Sequence, residues 1–431
     1  MADPPSRART KAPMSQSIPS DAPPRAGASS STRPARRAWL LVPVGLVFLG
    51  VLVGAHAYLV QRLVVAPAVP PPFAGWLVAI VCALGATLLL QPVAERLFPV
   101  RVERLVVWPA SLWMGIAFLL LVGLLASDGA LLLLGAAGGV EPVTAARVRA
   151  AGLVALTLPV AAVALRQGLA RPMVVRIETT LPRWPEALDG FRIVQISDIH
   201  FGPILGEPFA VWLRDRVNGL APDLIAITGD LVDGTVDKVG HAVAPLGGLR
   251  ARHGRYFVTG NHDHYSGARG WAGRVADLGI TVLRNEHRVI DVDGARFVLA
   301  GVDDHRSRQM PGEGGEDLDA ALADVAGDLP TILLAHDPTT FRRASRRRVD
   351  LQLSGHTHGG QIWPFRYLVR LAMPWVDGLH RVGGSTLYVS RGTGFWGPPM
   401  RLGAPAEITE IVLRAPAASA GRRDGAAPAR A

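Results

Sequence analysis

Four stretches without a formal charge dominate the first 170 residues of this 431-residue chain, and they decide what it can become. Residues 39–60 run for 22 residues with no Asp, Glu, Lys or Arg. At about 1.5 Å per helical residue, that length crosses a hydrocarbon layer of about 30 Å. Residues 73–90 give 18 more and residues 105–126 another 22, each bracketed by Arg, Pro or Glu. The fourth stretch, residues 150–165, has 16 residues between Arg149 and Arg166 and is interrupted by Pro159, which makes it the weakest span. Residues 131–140 are apolar but short and rich in glycine, which reads as a loop or re-entrant turn. An all-α transmembrane region of about four helices over residues 39–170 is predicted. With 49% hydrophobic and 19% charged residues overall, an ordinary soluble enzyme is excluded.

The formal charge of +10 suggests a nucleic-acid partner until it is placed on the chain. Residues 1–38 hold seven Lys/Arg against two Asp, and residues 415–431 hold three Arg against one Asp, so the tails supply seven of the ten charges. No nucleic-acid partner is expected. Both tails lack the large apolar side chains that offset chain entropy and are predicted to be disordered. A single cysteine, Cys82, excludes an intramolecular disulfide framework and a Cys-based zinc cluster. With four spans and the amino terminus inside, 13 Lys/Arg fall on the cytoplasmic side and three, Arg62, Arg147 and Arg149, on the other. That asymmetry predicts a multi-pass cell-membrane protein with everything after Arg166 in the cytoplasm. A rival reading takes Arg36-Arg37, the apolar run and Ala55-His56-Ala57 as a twin-arginine signal with its cleavage site.

After Pro172 the texture changes to short β-branched runs separated by Gly, Pro, Asp and Asn, the pattern of a soluble domain over residues 171–414. Strands are predicted at 191–196, 224–228, 256–259, 296–301, 331–334, 351–354, 386–390 and 408–413. Phe209, Leu213, Val217 and Leu220 fall at helical spacing between the first two, which implies a β-α-β beginning.

Five clusters of Asp, His and Asn follow these strands, where open α/β sheets carry their ligand sites. Asp198-Ile199-His200 comes first; residues two apart on an extended chain point the same way and reach one ion. Gly229-Asp230 and Gly260-Asn261-His262-Asp263 follow, each glycine permitting a tight turn at a strand end. His336 stands alone after a buried-looking run. Gly355-His356-Thr357-His358-Gly359-Gly360-Gln361 is the sharpest, since two imidazoles between glycines make a poor turn and a good metal clamp. Oxygen and imidazole donors without thiolate suit Mn, Fe, Zn, Ni or Mg.

In order and approximate spacing, these motifs resemble the calcineurin-like metallophosphoesterases over about residues 188–414. Gly355 to Gln361 and Arg391-Gly392-Thr393-Gly394-Phe395-Trp396-Gly397-Pro398-Pro399 further resemble the family's membrane-associated bacterial branch. The resemblance implies an α/β fold, a β-sandwich flanked by helices in an α/β/β/α arrangement. It also implies two divalent metal ions, with Mn favoured. One ion would be held by Asp198, His200, Asp230 and His358, and the second by Asp230, Asn261, His336 and His356, with Asp230 bridging. His262 matches the family's catalytic histidine, assisting the leaving group as a general acid while metal-activated water attacks phosphorus in line.

The expected function is therefore a membrane-anchored phosphohydrolase cleaving phosphoester or pyrophosphate bonds. Tethering suggests membrane lipids as neighbours and a phosphorylated, lipid-linked substrate. The alternatives are an anchored phosphodiesterase or phosphatase for a soluble metabolite or envelope polymer, and a non-catalytic sensor of a phosphorylated ligand. Asp263 has two readings, orienting His262 or capping the loop. Asp233, Asp303 and Asp304 are read either as substrate contacts or as turn and capping residues. His253, His264, His305 and His380 lack ligand spacing. Residues 362–375, aromatic and basic, are either an amphipathic stretch at a lipid interface or a buried cap over the site. Residues 309–319 read as a mobile or disordered acidic loop, and residues 392–399 as a tight loop beside the metals.

Overall fold

The computed structural model describes residues 35–134, 141–310 and 313–417. The predicted tails up to residue 34 and from residue 418, residues 135–140 of the predicted turn and residues 311–312 of the acidic loop lie outside the described residues.

Four helices, α1 (Ala35–Val60), α2 (Phe73–Leu97), α3 (Val100–Leu134) and α4 (Pro142–Leu169), are long and apolar enough to cross a membrane. α4 runs 28 residues, well beyond its 16-residue charge-free stretch. The charges in its first turns are held rather than exposed to lipid: Arg149 lies 2.6 Å from Asp128 of α3, and Arg147 donates to the carbonyls of Pro67 and Ala68. α3 extends through Leu131 and Leu132, where the sequence suggested a loop.

The rest of the chain builds two six-stranded sheets. The first contains β1 (Met173–Thr180), β2 (Phe191–Ile196), β3 (Leu224–Thr228), β4 (Arg255–Val258), β5 (Thr281–Val282) and β12 (Glu407–Arg414), in the order β1-β12-β2-β3-β4-β5. The second contains β6 (Glu286–Val292), β7 (Ala295–Gly301), β8 (Thr331–Leu334), β9 (Leu351–Ser354), β10 (Gly378–Val382) and β11 (Ser385–Val389), in the order β10-β11-β9-β8-β7-β6. The sequence missed β1, β5, β6 and β10. The β6-β7 hairpin does carry a turn signal, Asp293-Gly294, with both residues at positive φ as a two-residue hairpin turn requires.

Side-chain alternation produces the layers. Ile193, Leu224, Ala226 and Val258 point inward and meet Phe297, Leu299, Ile332, Leu334, Leu351 and Leu353 of the second sheet. Val194, Ile196, Ile225, Ile227 and Phe257 point outward and are covered by α5 (Glu207–Asn218), α6 (Val236–Val243) and α8 (Ala268–Asp277), with Trp271 of α8 fully buried. On the far face, Ala300, Val302, Leu333 and Ala335 pack under α9 (Leu318–Ala321) and α10 (Phe341–Ala344). The result is the expected α/β/β/α sandwich. Two shorter helices complete the set, α7 (Asn261–Tyr265) at the site and α11 (Phe365–Ala372) over it.

The described residues from Gly54 onward belong to one compact unit, in which the loop after β11 is seated on α3 and α4. Met400, fully buried, packs with Ala161, Ala164 and Ile362, and the Arg401 N–H donates to the Ala164 carbonyl at 2.8 Å. Gly168 of α4 faces the Pro399 carbonyl so closely that a Cβ there would collide with it. On the α2-α3 turn, Lys238 donates to the carbonyls of Glu95 and Phe98, and Arg104 donates to that of Pro203.

Candidate metal centre

β2, β3, β4 and β5 are mutually parallel, as are β7, β8, β9 and β11, so in each sheet the carboxyl ends gather at one edge. Gln195 of β2 donates to the Ser354 carbonyl of β9 at 2.9 Å and brings the two edges together. All seven residues expected to hold metal leave from these ends. Asp198 and His200 follow β2, Asp230 follows β3, Asn261 opens α7 after β4, His336 follows β8, and His356 and His358 follow β9. Five of them, Asp198, His200, Asp230, His356 and His358, have φ between 50° and 73°. Such left-handed backbone is costly for a residue with a side chain and gathers at functional sites.

The side chains form two adjoining triads, Asp198/His200/His358 and Asp230/His336/His356, each with its donor atoms within 4.8 Å of one another. His200 Nε2 is 3.1 Å from His358 Nε2, and His358 Nε2 is 3.5 Å from Asp198 Oδ1. His336 Nε2 is 3.1 Å from both His356 Nδ1 and Asp230 Oδ2. Asp230 Oδ2 also lies 3.9 Å from His200 Nε2, so this carboxylate joins the triads. Asn261 Oδ1 and Asp198 Oδ2 are buried without a hydrogen-bond partner. Buried polar atoms are normally paired, and these two, beside imidazole nitrogens only 3.1 Å from one another, fit divalent cations.

Without metal, the protein charges leave a mixed set of protonation states: burial raises the Asp198 carboxyl, and the Asp230 carboxylate, against burial, raises His336 well above the ordinary histidine value. Burial works against the Asp230 carboxylate, but the surrounding His336 and His262 imidazoles hold it well below the usual carboxylate range. Burial, reinforced by His336, pushes His356 down to about 4, and burial with His200 and Arg401 lowers His358 as well. Both are then neutral imidazoles, the form that ligates.

His262 lies edge-on to His200 with ring centroids 4.7 Å apart and makes a third donor group with it and Asp233, whose Oδ1 is 2.7 Å from His262 Nδ1 and 3.1 Å from His200 Nδ1. From the bend after Asp230, the Asp233 carboxylate thus binds both rings. Asp263 takes the capping reading: its Oδ1 accepts from the Leu231 and Val232 N–H groups and its Oδ2 from that of Gly260. Asp303 clamps Arg284, and Asp304 caps the short 3₁₀ turn His305–Gln309. His264 is bound to Thr259 and His380 to the Asp377 carbonyl, away from both triads.

A profile of the calcineurin-like phosphoesterases matches residues 191–360 of the chain. The "Transmembrane protein with metallophosphoesterase domain" of Bos taurus is 40% identical over 291 residues, 65% of this chain and 66% of its own length. An "Uncharacterized metallophosphoesterase" of Helicobacter pylori (strain J99) is 38% identical over 249 residues, 57% of this chain and 65% of its own. The "Uncharacterized metallophosphoesterase YkuE" of Bacillus subtilis is 34% identical over 238 residues, 53% of this chain and 81% of its own. The chain belongs to the calcineurin-like metallophosphoesterases. Its similarity takes in animal as well as bacterial members, so it is not confined to a bacterial branch. The chain spans just under two thirds of the Bos taurus and Helicobacter proteins. With its four apolar helices and a transmembrane relative, it is a membrane-associated member.

Two features of this metallophosphoesterase were not legible in the motifs. Arg401 is fully buried behind the site, donates to the carbonyls of Gly394 and Ala404, and lies 3.3 Å from His358 Nδ1. The glycine-rich loop before it crosses directly over Asp198: the Gly394 N–H donates to the Asp198 carbonyl at 3.0 Å, and a Cβ on Gly394 would strike the Ile199 carbonyl. The second feature is a cavity of about 570 Å³ that opens from Asp230, Asn261, His262, His356 and His358. Its further walls are Met114 and Phe118 of α3 and Phe365, Leu368, Val369 and Met373 in and beside α11.

The Asp233 contact yields a direct expectation. In the metal-free protein burial disfavours the His262 cation, yet the Asp233 and Asp230 carboxylates raise its pKa to about 9. Asp233→Asn removes the larger of these attractions, and the imidazole should then titrate closer to about 6.5. Proton NMR of the His262 ring across pH 5 to 10 reads this; an unmoved titration would mean that Asp233 does not hold the ring.

Proposed function

We propose that the chain is a membrane-held, dinuclear metal-dependent phosphohydrolase that cleaves a phosphoester or pyrophosphate bond with water. The observation that carries this reading is the single Asp230 carboxylate shared between two triads of neutral or ionisable donors. Asp198, His200, Asp230 and His358 would hold one ion, and Asp230, Asn261, His336 and His356 the other. Divalent ions bound there would draw charge from the phosphoryl oxygens and acidify a water molecule. Oxygen and imidazole donors suit Mn, Fe, Zn, Ni or Mg, among which the family resemblance favours manganese, and thiophilic ions are disfavoured.

His262 lines the cavity and carries a proton that Asp233 helps retain, so it is placed to give that proton to the departing oxygen. Asp233 fixes the ring through Nδ1 and leaves Nε2 for the substrate side. The distribution of Lys and Arg supports four membrane passes with the catalytic sandwich in the cytoplasm. The apolar wall of the cavity supports an amphiphilic, lipid-linked phosphoester over a soluble metabolite or envelope polymer. A purely ligand-sensing role has no use for a protonated histidine beside the triads.

The full chain, purified in detergent, stripped of metal and titrated with Mn²⁺, tests the proposal on 4-nitrophenyl phosphate and on bis(4-nitrophenyl) phosphate. Ion-dependent release of nitrophenolate is expected and identifies the ester class. A folded protein that binds two ions per chain and hydrolyses neither ester would overturn the hydrolase reading in favour of the sensor.

A further inference from the structure

We infer that the cleft between α3 and α11 is a side entrance from the bilayer, and that it holds the hydrocarbon chain of the substrate while the phosphoester lies at the metal centre. This rests on the phosphohydrolase reading and adds the direction from which the substrate comes and the part of it that is recognised.

The first ground is continuity. One cavity joins His262, His356 and His358 to Met114 and Phe118. Those two residues lie inside the 22-residue charge-free stretch of α3, the part of that helix a bilayer would surround with hydrocarbon. The polar end of the cavity and its apolar end therefore face different solvents, water and lipid. Phosphate fits the first and methylene the second.

The second ground is α11 itself. None of its residues is buried, although it is dominated by Phe365, Tyr367, Leu368, Val369 and Leu371. Leu368 is 56% and Leu371 85% exposed, Trp396 is half exposed in the cavity lining, and Trp363, two residues before α11, is half exposed as well. An apolar helix left open beside a membrane-spanning one, rimmed by tryptophan and by Arg366 and Arg370, has the make-up of a segment in the headgroup layer. Within residues 362–375 Ile362 is buried, but the open face of α11 favours the interfacial reading over a buried cap. Phe365 meets Phe118 edge to face, with ring centroids 6.0 Å apart, and this contact joins the two walls. At the polar end Arg306 adds a cation to the lining, which suits an anionic phosphoester.

The test uses the full chain in detergent micelles with Mn²⁺ and two probes, 4-nitrophenyl methyl phosphate and 4-nitrophenyl dodecyl phosphate. In each, water oxygen bonds to phosphorus and the bond to the nitrophenol oxygen breaks. The wild-type protein is expected to favour the dodecyl ester by at least about tenfold in kcat/KM, because several methylenes leave water. Val369→Trp and Met114→Trp fill the cleft, and each is expected to bring the dodecyl-to-methyl ratio down to near one. Comparison of ratios in the same micelles cancels partition of the probe and any general loss of activity.

A second readout does not need turnover: dodecyl phosphate carrying a terminal diazirine should crosslink to peptides containing Met114 to Phe118 or Phe365 to Met373. An unchanged ratio in both variants, or crosslinks only elsewhere, would overturn the side entrance while leaving the hydrolase intact. Correct crosslinking without hydrolysis of either ester would retain the cleft and overturn the hydrolase reading instead.

Discussion

Asp230→Asn is expected to abolish ion-dependent hydrolysis, a fall on the order of 10⁴-fold or more, equivalent to at least about 5.5 kcal/mol of transition-state stabilisation. The residue has three duties at one position. Its Oδ2 stands between His336 and His200, its Oδ1 accepts the His262 N–H at 2.8 Å, and its backbone sits at φ 50°. Asparagine keeps the shape and tolerates that backbone, so the substitution isolates the negative charge. Without it, two cations held at the adjoining triads would lose the negative charge shared between them, and their mutual repulsion would no longer be offset. Equilibrium dialysis should find bound Mn²⁺ reduced from two per chain to at most one. Retention of both ions with activity within tenfold of wild type would sink the assignment of Asp230 as the shared ligand.

His262→Gln is expected to lower kcat by about 10²- to 10⁴-fold for an ester with an alkyl leaving group, the usual worth of a general acid. The loss should shrink to a few-fold for a nitrophenyl ester, whose leaving group departs without a proton. That contrast separates proton donation from mere support of the loop, because a structural defect would harm both esters alike. Asp233 gives the prediction its geometry, since its bond to Nδ1 defines which nitrogen remains for substrate. Equal losses on both esters would show that His262 positions the phosphate and does not protonate the product.

Much of the site was legible because its residues are local to strand ends. Short runs such as the β-branched Leu224–Thr228 and the leucine-bearing Leu351–Ser354 announced strands, and each was followed by the Asp or His that the fold gathers at one edge. Edge elements were harder to read. β1 reads Met-Val-Val-Arg-Ile-Glu-Thr-Thr, with one buried residue, and its pairing with β12 makes it a strand. α4 was cut short on paper because Arg147 and Arg149 count as charges in sequence, whereas in the fold they are spent on Pro67, Ala68 and Asp128. Arg401 was invisible altogether. Nothing in Pro-Pro-Met-Arg says that a guanidinium will be buried among carbonyls, since those carbonyls arrive from Gly394 and Ala404 only when the loop closes.

The seat of that loop on α4 has a practical corollary for anyone wishing to work in water. A fragment starting at residue 172 looks like a self-sufficient enzyme, yet the saw-cut runs through its own packing. It would strip the cover from Ile362 and Met400, leave the Arg401 N–H without the Ala164 carbonyl, and loosen the strap that ends beside His358. For this chain the membrane helices are a wall of the workshop, and a version freed from lipid gains solubility at the expense of the shape of its own metal loop.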